Sequence, residues 1–344
     1  MTVANWIRAS ALGLAIGLAA GAAMAQTITT ERVKVHGAAL EGNLEGNEVD
    51  RNVIVYLPPS YATNPTRRYP VVYALHGYSI DNEKWTTEVK TPGTIQAAFG
   101  AGAKEMIVVL PDSRTVHNGS MYSSSVTTGD FETYVARDVV VYVDSHYRTL
   151  ATRESRGIAG HSMGGYGAIR IAMKHPDVFS AVYAMSACCL TPQALPGQTA
   201  QLAALENIKT REDAEKGGWG VRTVFASAAA WSPNPENPPF YLDLPTKDGV
   251  LQPDVMARWA ANAPLAMVDQ YVGALRQYKA IAIDIGDRDG LKAENDRLHA
   301  ALDRYKIKHA YEVYSGTHTS AVADRMQNHV IPFFARNLVF PAGN

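Results

Sequence analysis

Cysteine is nearly missing from this sequence: two in 344 residues, and these are the adjacent pair Cys188 and Cys189. Neighbouring residues rarely meet disulfide geometry, so no disulfide framework holds the chain together, and two reduced, buried thiols at a strand end are expected. An excess of either charge is also lacking. Lysine plus arginine number 32 against 33 aspartates and glutamates, and no basic run occurs, which removes the electrostatic basis for a nucleic-acid partner. There is no internal repeat and no HExxH helix to hold a metal. The apolar run Ala11 to Ala23 is short and rich in alanine and glycine, a poor membrane span.

That run carries other information. Arg8 precedes it and Ala23-Met24-Ala25 follows as a small-residue cleavage site before Gln26, the pattern of a secretory signal peptide. The expectation is export to the periplasm or beyond with cleavage after Ala25, leaving no stable membrane anchor. Over the full chain, hydrophobic residues at 47% and charged residues at 19% give an ordinary globular balance, and the remainder, residues 26–344, is expected to form one domain.

Two kinds of strand are legible. Glu31 to His36 alternates polar and apolar residues, as does a half-exposed strand, Asn52 to Leu57 follows it after a turn, and the two are expected as antiparallel edge strands. Val71 to Leu75, Met106 to Leu110 and Ala181 to Met185 are continuous apolar runs, expected where helices cover both faces of a parallel sheet. Helical spacing marks residues 130–146, 166–173, 264–278, 292–305 and a closing helix, and Ala280 to Ile285 and Ala310 to Tyr314 supply the last strands. Strands alternating with helices predict an α/β fold with a mostly parallel, doubly wound sheet and a ligand site at the strands' carboxyl ends. Residues 190–261 interrupt the rhythm, with the proline-rich stretch Trp231 to Phe240 as their least regular part. They read as a cap-like insertion within the one domain.

The chemistry concentrates at Gly160-His161-Ser162-Met163-Gly164-Gly165. A short apolar strand precedes it and a helix follows, the context in which G-x-S-x-G forms a nucleophile elbow. The serine sits on a tight turn with its hydroxyl clear of the backbone, and glycines flank it because side chains there would collide with neighbouring elements. The first amide of the helix, that of Met163, points at the place where an oxyanion would develop. A serine needs a base and an orienting carboxylate, in the chain order Ser, acid, His. His318, in Ser315-Gly316-Thr317-His318-Thr319 directly after the final strand, is the candidate base; His329, in the closing helix, is a packing or surface residue. After the preceding strand, Gly286-Asp287-Arg288-Asp289-Gly290 offers two acids. Asp289, further into the loop, is preferred and Asp287 is the alternative. The D-x-D-G also occurs in calcium loops, but the other EF-hand ligands are missing. The amide of Tyr78, after Leu75-His76-Gly77, is the candidate second oxyanion donor. His76, His161 and Trp231 are substrate-binding candidates; His76 and His161 lack the companions of a metal site.

Those motifs, Leu75-His76-Gly77, the Ser162 elbow, Gly286-x-x-Asp289 and Gly316-Thr317-His318-Thr319, resemble the esterase D family of α/β-hydrolases, which includes feruloyl esterases, S-formylglutathione hydrolases, siderophore esterases and mycolyltransferases. The resemblance spans about Arg51 to Phe334. It implies an α/β-hydrolase fold, a triad completed by Asp289, a small-molecule or carbohydrate-linked ester as substrate, and no cofactor. Where relatives often carry G-G-H-T-W, this chain has Thr317 and Ser320 in place of the second glycine and the tryptophan. Trp219, Trp231, Phe240, Tyr241 and Trp259 in the insertion would line an aromatic acyl slot or pack the insertion's own core. Export argues against S-formylglutathione as substrate. It suits a carboxylesterase, a siderophore-lactone esterase or an acyltransferase, and the remote alternative is a non-catalytic hydrolase fold that only binds a ligand.

Overall fold

The computed structural model describes residues 27–191 and 199–341. The expected signal peptide and its cleavage site lie outside the described residues. An eight-stranded sheet forms the centre: β1 (Thr29–His36), β2 (Asp50–Leu57), β3 (Val71–Leu75), β4 (Ile107–Pro111), β5 (Arg156–His161), β6 (Ala181–Met185), β7 (Ala280–Gly286) and β8 (Ala310–Tyr314), in the spatial order β1-β2-β4-β3-β5-β6-β7-β8. The first two strands pair antiparallel and β2 lies antiparallel to β4; every pairing from β4 to β8 is parallel. The two kinds of strand read from sequence are therefore sorted by position. Alternating β1 is an edge, but β2, expected as a second edge strand, lies between β1 and β4 and is mostly buried, and the continuous apolar runs are central and buried on both faces.

Alternation within β3 shows how both faces are filled. Val71, Tyr73 and Leu75 join one core while Val72 and Ala74 join the other. The helices α1 (Gly93–Gly100) and α7 (residues 322–337) cover the second face through Ile95, Val330 and Phe334. On the first face lie α2 (residues 131–146), α3 (Met163–Lys174) and α6 (Lys292–Arg304), with Tyr134, Ile169 and Leu298 inward. α2 and α7 each run through one π turn, at Tyr134–Val139 and Met326–Val330.

Residues 264–278 depart from the expected single helix. The chain forms two short turns, Pro264–Met267 and Val272–Leu275, and Tyr271 between them leaves helical dihedrals at φ −111° and ψ 15°. Gly273 gives a continuous helix little intrinsic support there. The insertion, by contrast, is more regular than its prolines suggest. It contains α4 (Trp219–Trp231), α5 (Pro253–Ala261), shorter helices at Thr199–Ala204 and Arg211–Lys216, and a small hairpin of Thr246–Lys247 with Val250–Leu251. Irregular chain begins at Ser232, immediately after Trp231. Among the described residues no helix is long and apolar enough to cross a membrane.

Candidate active site

Ser162 stands between β5 and α3 with φ 58° and ψ −117°, a strained conformation for a residue with a side chain. Backbone contacts on three sides hold it there. Its amide donates to Met185 O on β6 at 3.0 Å, and its carbonyl accepts from the amides of Tyr166 and Cys188 at 3.0 and 3.2 Å. The flanking glycines are required by close approach. A Cβ on Gly160 would lie 2.2 Å from the carbonyl oxygen of Gly164, and one on Gly164 only 2.0 Å from that of Leu75. The motif thus encodes how tightly β3, β5 and α3 pack around the serine.

His318 and Asp289 come from loops at the same end of the sheet. His318 Nε2 lies 2.9 Å from Ser162 Oγ and His318 Nδ1 lies 2.8 Å from Asp289 Oδ2, so the three side chains form one hydrogen-bonded chain. Asp289 is 6% exposed. Burial alone would raise its pKa, but the hydrogen bond from His318 and the one from the Leu291 amide outweigh burial and hold the carboxyl below its ordinary value. It is therefore ionised at neutral pH and oriented to keep a proton on Nδ1 of His318, leaving Nε2 to accept from the serine.

The alternative acid, Asp287, has a different task. Its Oδ1 accepts from the Gly316 amide at 2.9 Å, and its own amide donates to Tyr314 O at 2.7 Å, which ties the acid loop to the histidine loop. Gly286 allows this seam: a Cβ there would sit 2.5 Å from Gly316 O. His161 anchors the same loop from the other side. Its Nε2–H donates to the carbonyl of His318 at 2.7 Å, and burial, followed by the neighbouring His318 charge, pushes its pKa down to about 4, which keeps the ring neutral. These two positioning roles escaped sequence reasoning, because each depends on separate segments meeting over the elbow, the acid and histidine loops for Asp287 and the elbow and histidine loop for His161.

The backbone after β3 lies against the serine, since a Cβ on Gly77 would be 3.6 Å from Ser162 Cβ. The amides of Tyr78 and Met163 make no backbone hydrogen bond with the described residues, which leaves both donors free. Tyr78 is fixed by its hydroxyl, which donates to His117 O at 2.8 Å. His76 is fully buried, with Nδ1 donating to Gly77 O and Nε2 accepting from the Ser113 amide, both at 2.8 Å. As a substrate-binding candidate, His76 is corrected to a support of the loop that carries Tyr78, because both its ring nitrogens are taken by backbone groups, whereas His161 supports the His318 loop through Nε2 alone.

Trp231 is corrected too. It is 4% exposed, packs against Tyr166 and Trp259, and spends its indole N–H on Ser123 Oγ at 3.1 Å, so it fills the seam between insertion and body. Phe240 and Trp259 are likewise buried. Tyr241 is half-buried, and Trp219 is the most open of these aromatics: 62% exposed, it meets the Tyr78 ring edge-on at 5.9 Å. Cys188 and Cys189 are free thiols, and the hydrogen bond with Cys189, followed by burial, pushes the Cys188 thiol up, away from a reactive thiolate.

Comparison with known proteins agrees with this architecture. The Esterase family model, described as "Putative esterase", matches residues 46–322. The chain is similar to Esterase Rv1288 of Mycobacterium tuberculosis (strain ATCC 25618 / H37Rv), 33% identical over 131 residues that make up 37% of this chain and 27% of that protein. It is also similar to an endo-1,4-beta-xylanase/feruloyl esterase of Xylanibacter ruminicola, 29% identical over 131 residues, 36% of this chain and 18% of the other. The chain thus spans about a quarter or less of the length of these curated relatives. A solved ferulic acid esterase matches over 91% of this chain and 99% of its own, with a TM-score of 0.64 at 23% identity, a likeness in fold: that of the α/β-hydrolases.

Proposed function

Because the chain belongs to the Esterase family, we propose that it is an exported serine carboxylesterase working through an acyl-enzyme. The observation that carries the reading is the continuous chain Ser162–His318–Asp289 beside two free amides. Ser162 Oγ attacks the ester carbonyl while His318 Nε2 takes its proton. Asp289 stabilises the imidazolium, and the amides of Met163 and Tyr78 bind the oxyanion of the tetrahedral intermediate. His318 then protonates the departing alcohol, and water activated by the same imidazole releases the acid. Every group needed is a side chain or amide of this chain. Export rests on the Arg8 to Ala25 pattern, with cleavage after Ala25.

An aromatic acyl ester of the feruloyl type is the proposed substrate class. The relative named as a feruloyl esterase supports it, and so does the exposed Trp219 edge-on to Tyr78. A matched panel tests the proposal: short aliphatic esters, methyl ferulate and a catecholate lactone, each with purified protein and with Ser162→Ala. A kcat/KM for methyl ferulate at least tenfold above the aliphatic esters supports the aromatic class. Equal rates across small esters would leave a general carboxylesterase. Turnover that survives in Ser162→Ala would overturn the mechanism, and N-terminal sequencing of protein exported by its host checks the cleavage point.

A further inference from the structure

His299 and His309 form a pair at the end of the sheet opposite the triad. His299 lies in the last turns of α6, whereas His309 immediately precedes β8. Their rings face each other with His299 Nδ1 2.8 Å from His309 Nε2. The outer nitrogen of each ring has an oxygen partner. His309 Nδ1 lies 2.8 Å from Ile307 O, a carbonyl that can only accept, so this nitrogen carries the hydrogen and Nε2 presents a lone pair. His299 Nε2 faces the carboxylate of Asp303, one helical turn on, at 3.5 Å. If that nitrogen holds the hydrogen for the carboxylate, Nδ1 also presents a lone pair, and two lone pairs meet at hydrogen-bond distance. Something positive must then lie between them, either a proton or a metal ion.

From this arrangement we propose a binding site for a borderline divalent cation of the zinc type, with His299 Nδ1 and His309 Nε2 as ligands. An oxygen acceptor on the far nitrogen of a metal-bound histidine is the arrangement that fixes the tautomer and raises ligand basicity. Asp303 and the Ile307 carbonyl fill those places here. The His299 ring is further held by stacking on Tyr311, with centroids 4.4 Å apart and planes 13° from parallel. Zinc–nitrogen bonds of about 2.0–2.1 Å require the two nitrogens to separate by roughly half an ångström, a small movement for half-exposed side chains. One ligand atom from each of His299, Asp303 and His309 lies within 4.8 Å of the other two, so Asp303 can alternatively enter as a third ligand, with water completing the shell. The site closes the turn between α6 and β8, the two elements that carry the Asp289 and His318 loops at their other ends. Its effect is on the stability of that unit.

Zinc titration of tag-free full-length protein after chelator treatment tests this, followed by calorimetry and by thermal denaturation. Expected are one saturable equivalent and a melting temperature that climbs with zinc concentration. His299→Ala and His309→Ala should each lower affinity at least tenfold, and Asp303→Asn about tenfold. Absence of saturable binding overturns the proposal, as does affinity unchanged in both histidine variants. Should a variant melt early without metal, the copper(II)-loaded wild type decides by electron paramagnetic resonance. Coupling to two imidazole nitrogens supports the site, and a spectrum without imidazole nitrogen rejects it.

Discussion

The elbow region and the insertion are both dense in signals that sequence reading takes for function, yet they fold on different terms. Around Ser162 the informative residues are glycines, and what they encode is backbone contact at distances that no side chain permits. In the insertion the informative residues are aromatics, and Trp231, Phe240 and Trp259 are spent on packing. A cleft of about 770 Å³ in the insertion is lined by residues from Glu206 to Arg258, none of them from the triad. The difference teaches that a steric requirement identifies a site more sharply than a chemical preference. A glycine contact has one cause, whereas an indole is equally at home in a pocket or a core.

The comparison breaks most visibly at the two acids. Asp289→Asn should lower kcat by about 10⁴, the loss expected when the tautomer-fixing carboxylate of a triad is neutralised. Asp287→Asn, which only loosens the seam to Gly316, should lower it by about tenfold. Equal losses in steady-state kinetics would mean that the acid role is not confined to Asp289.

Two tryptophans sharpen the comparison next. Trp231→Ala should cost about 3–5 kcal/mol in denaturant unfolding, the range for removing a buried aromatic. Trp219→Ala, at an exposed position, should change stability by less than about 0.5 kcal/mol and raise KM for aromatic esters several-fold. A stable Trp231→Ala protein with a raised KM would return that residue to the pocket.

The smallest effect concerns how the insertion is seated. Phe225 and Phe240 pack on His117, whose Nε2 faces Glu45 Oε1 at 3.6 Å in a buried position. Burial, partly offset by the Asn47 hydrogen bond and Arg211, pushes the Glu45 carboxyl up to about 7. Burial and Arg211 push His117 down to about 4. The Glu45 contribution is therefore fully present below the unfolded value of 4.5 and is lost as pH rises through about 7. The His117 contribution is present above 6.5 and is lost as pH falls through about 4. Glu45→Gln should consequently gain stability over wild type, on the order of 2 kcal/mol, at pH 8 and little at pH 5. A difference in melting temperature that does not grow between those pH values would contradict the assignment.

Much of the fold and site is legible in the sequence. The apolar runs of β3, β4 and β6 read as central strands because burial on both faces leaves no polar positions, and alternation marked β1 as an edge. Ser162 and His318 follow from motif order and Asp289 from its place further into the loop, and the observed hydrogen bonds join those three side chains. The break at Tyr271 was hidden, since two short turns and one helix share the same apolar spacing.

By itself the sequence determined the parts whose meaning is local: the strand types, the strained turn at Ser162, and the glycines that admit close backbones. Tertiary structure alone decided where side chains of mixed character went. It set Asp289 on His318 and Asp287 on Gly316, turned His161 to the His318 carbonyl, and buried Trp231 while exposing Trp219. The physical reason is that a carboxylate, an imidazole or an indole satisfies its hydrogen bonds and surface equally well in several environments, and only the packing of distant segments selects one.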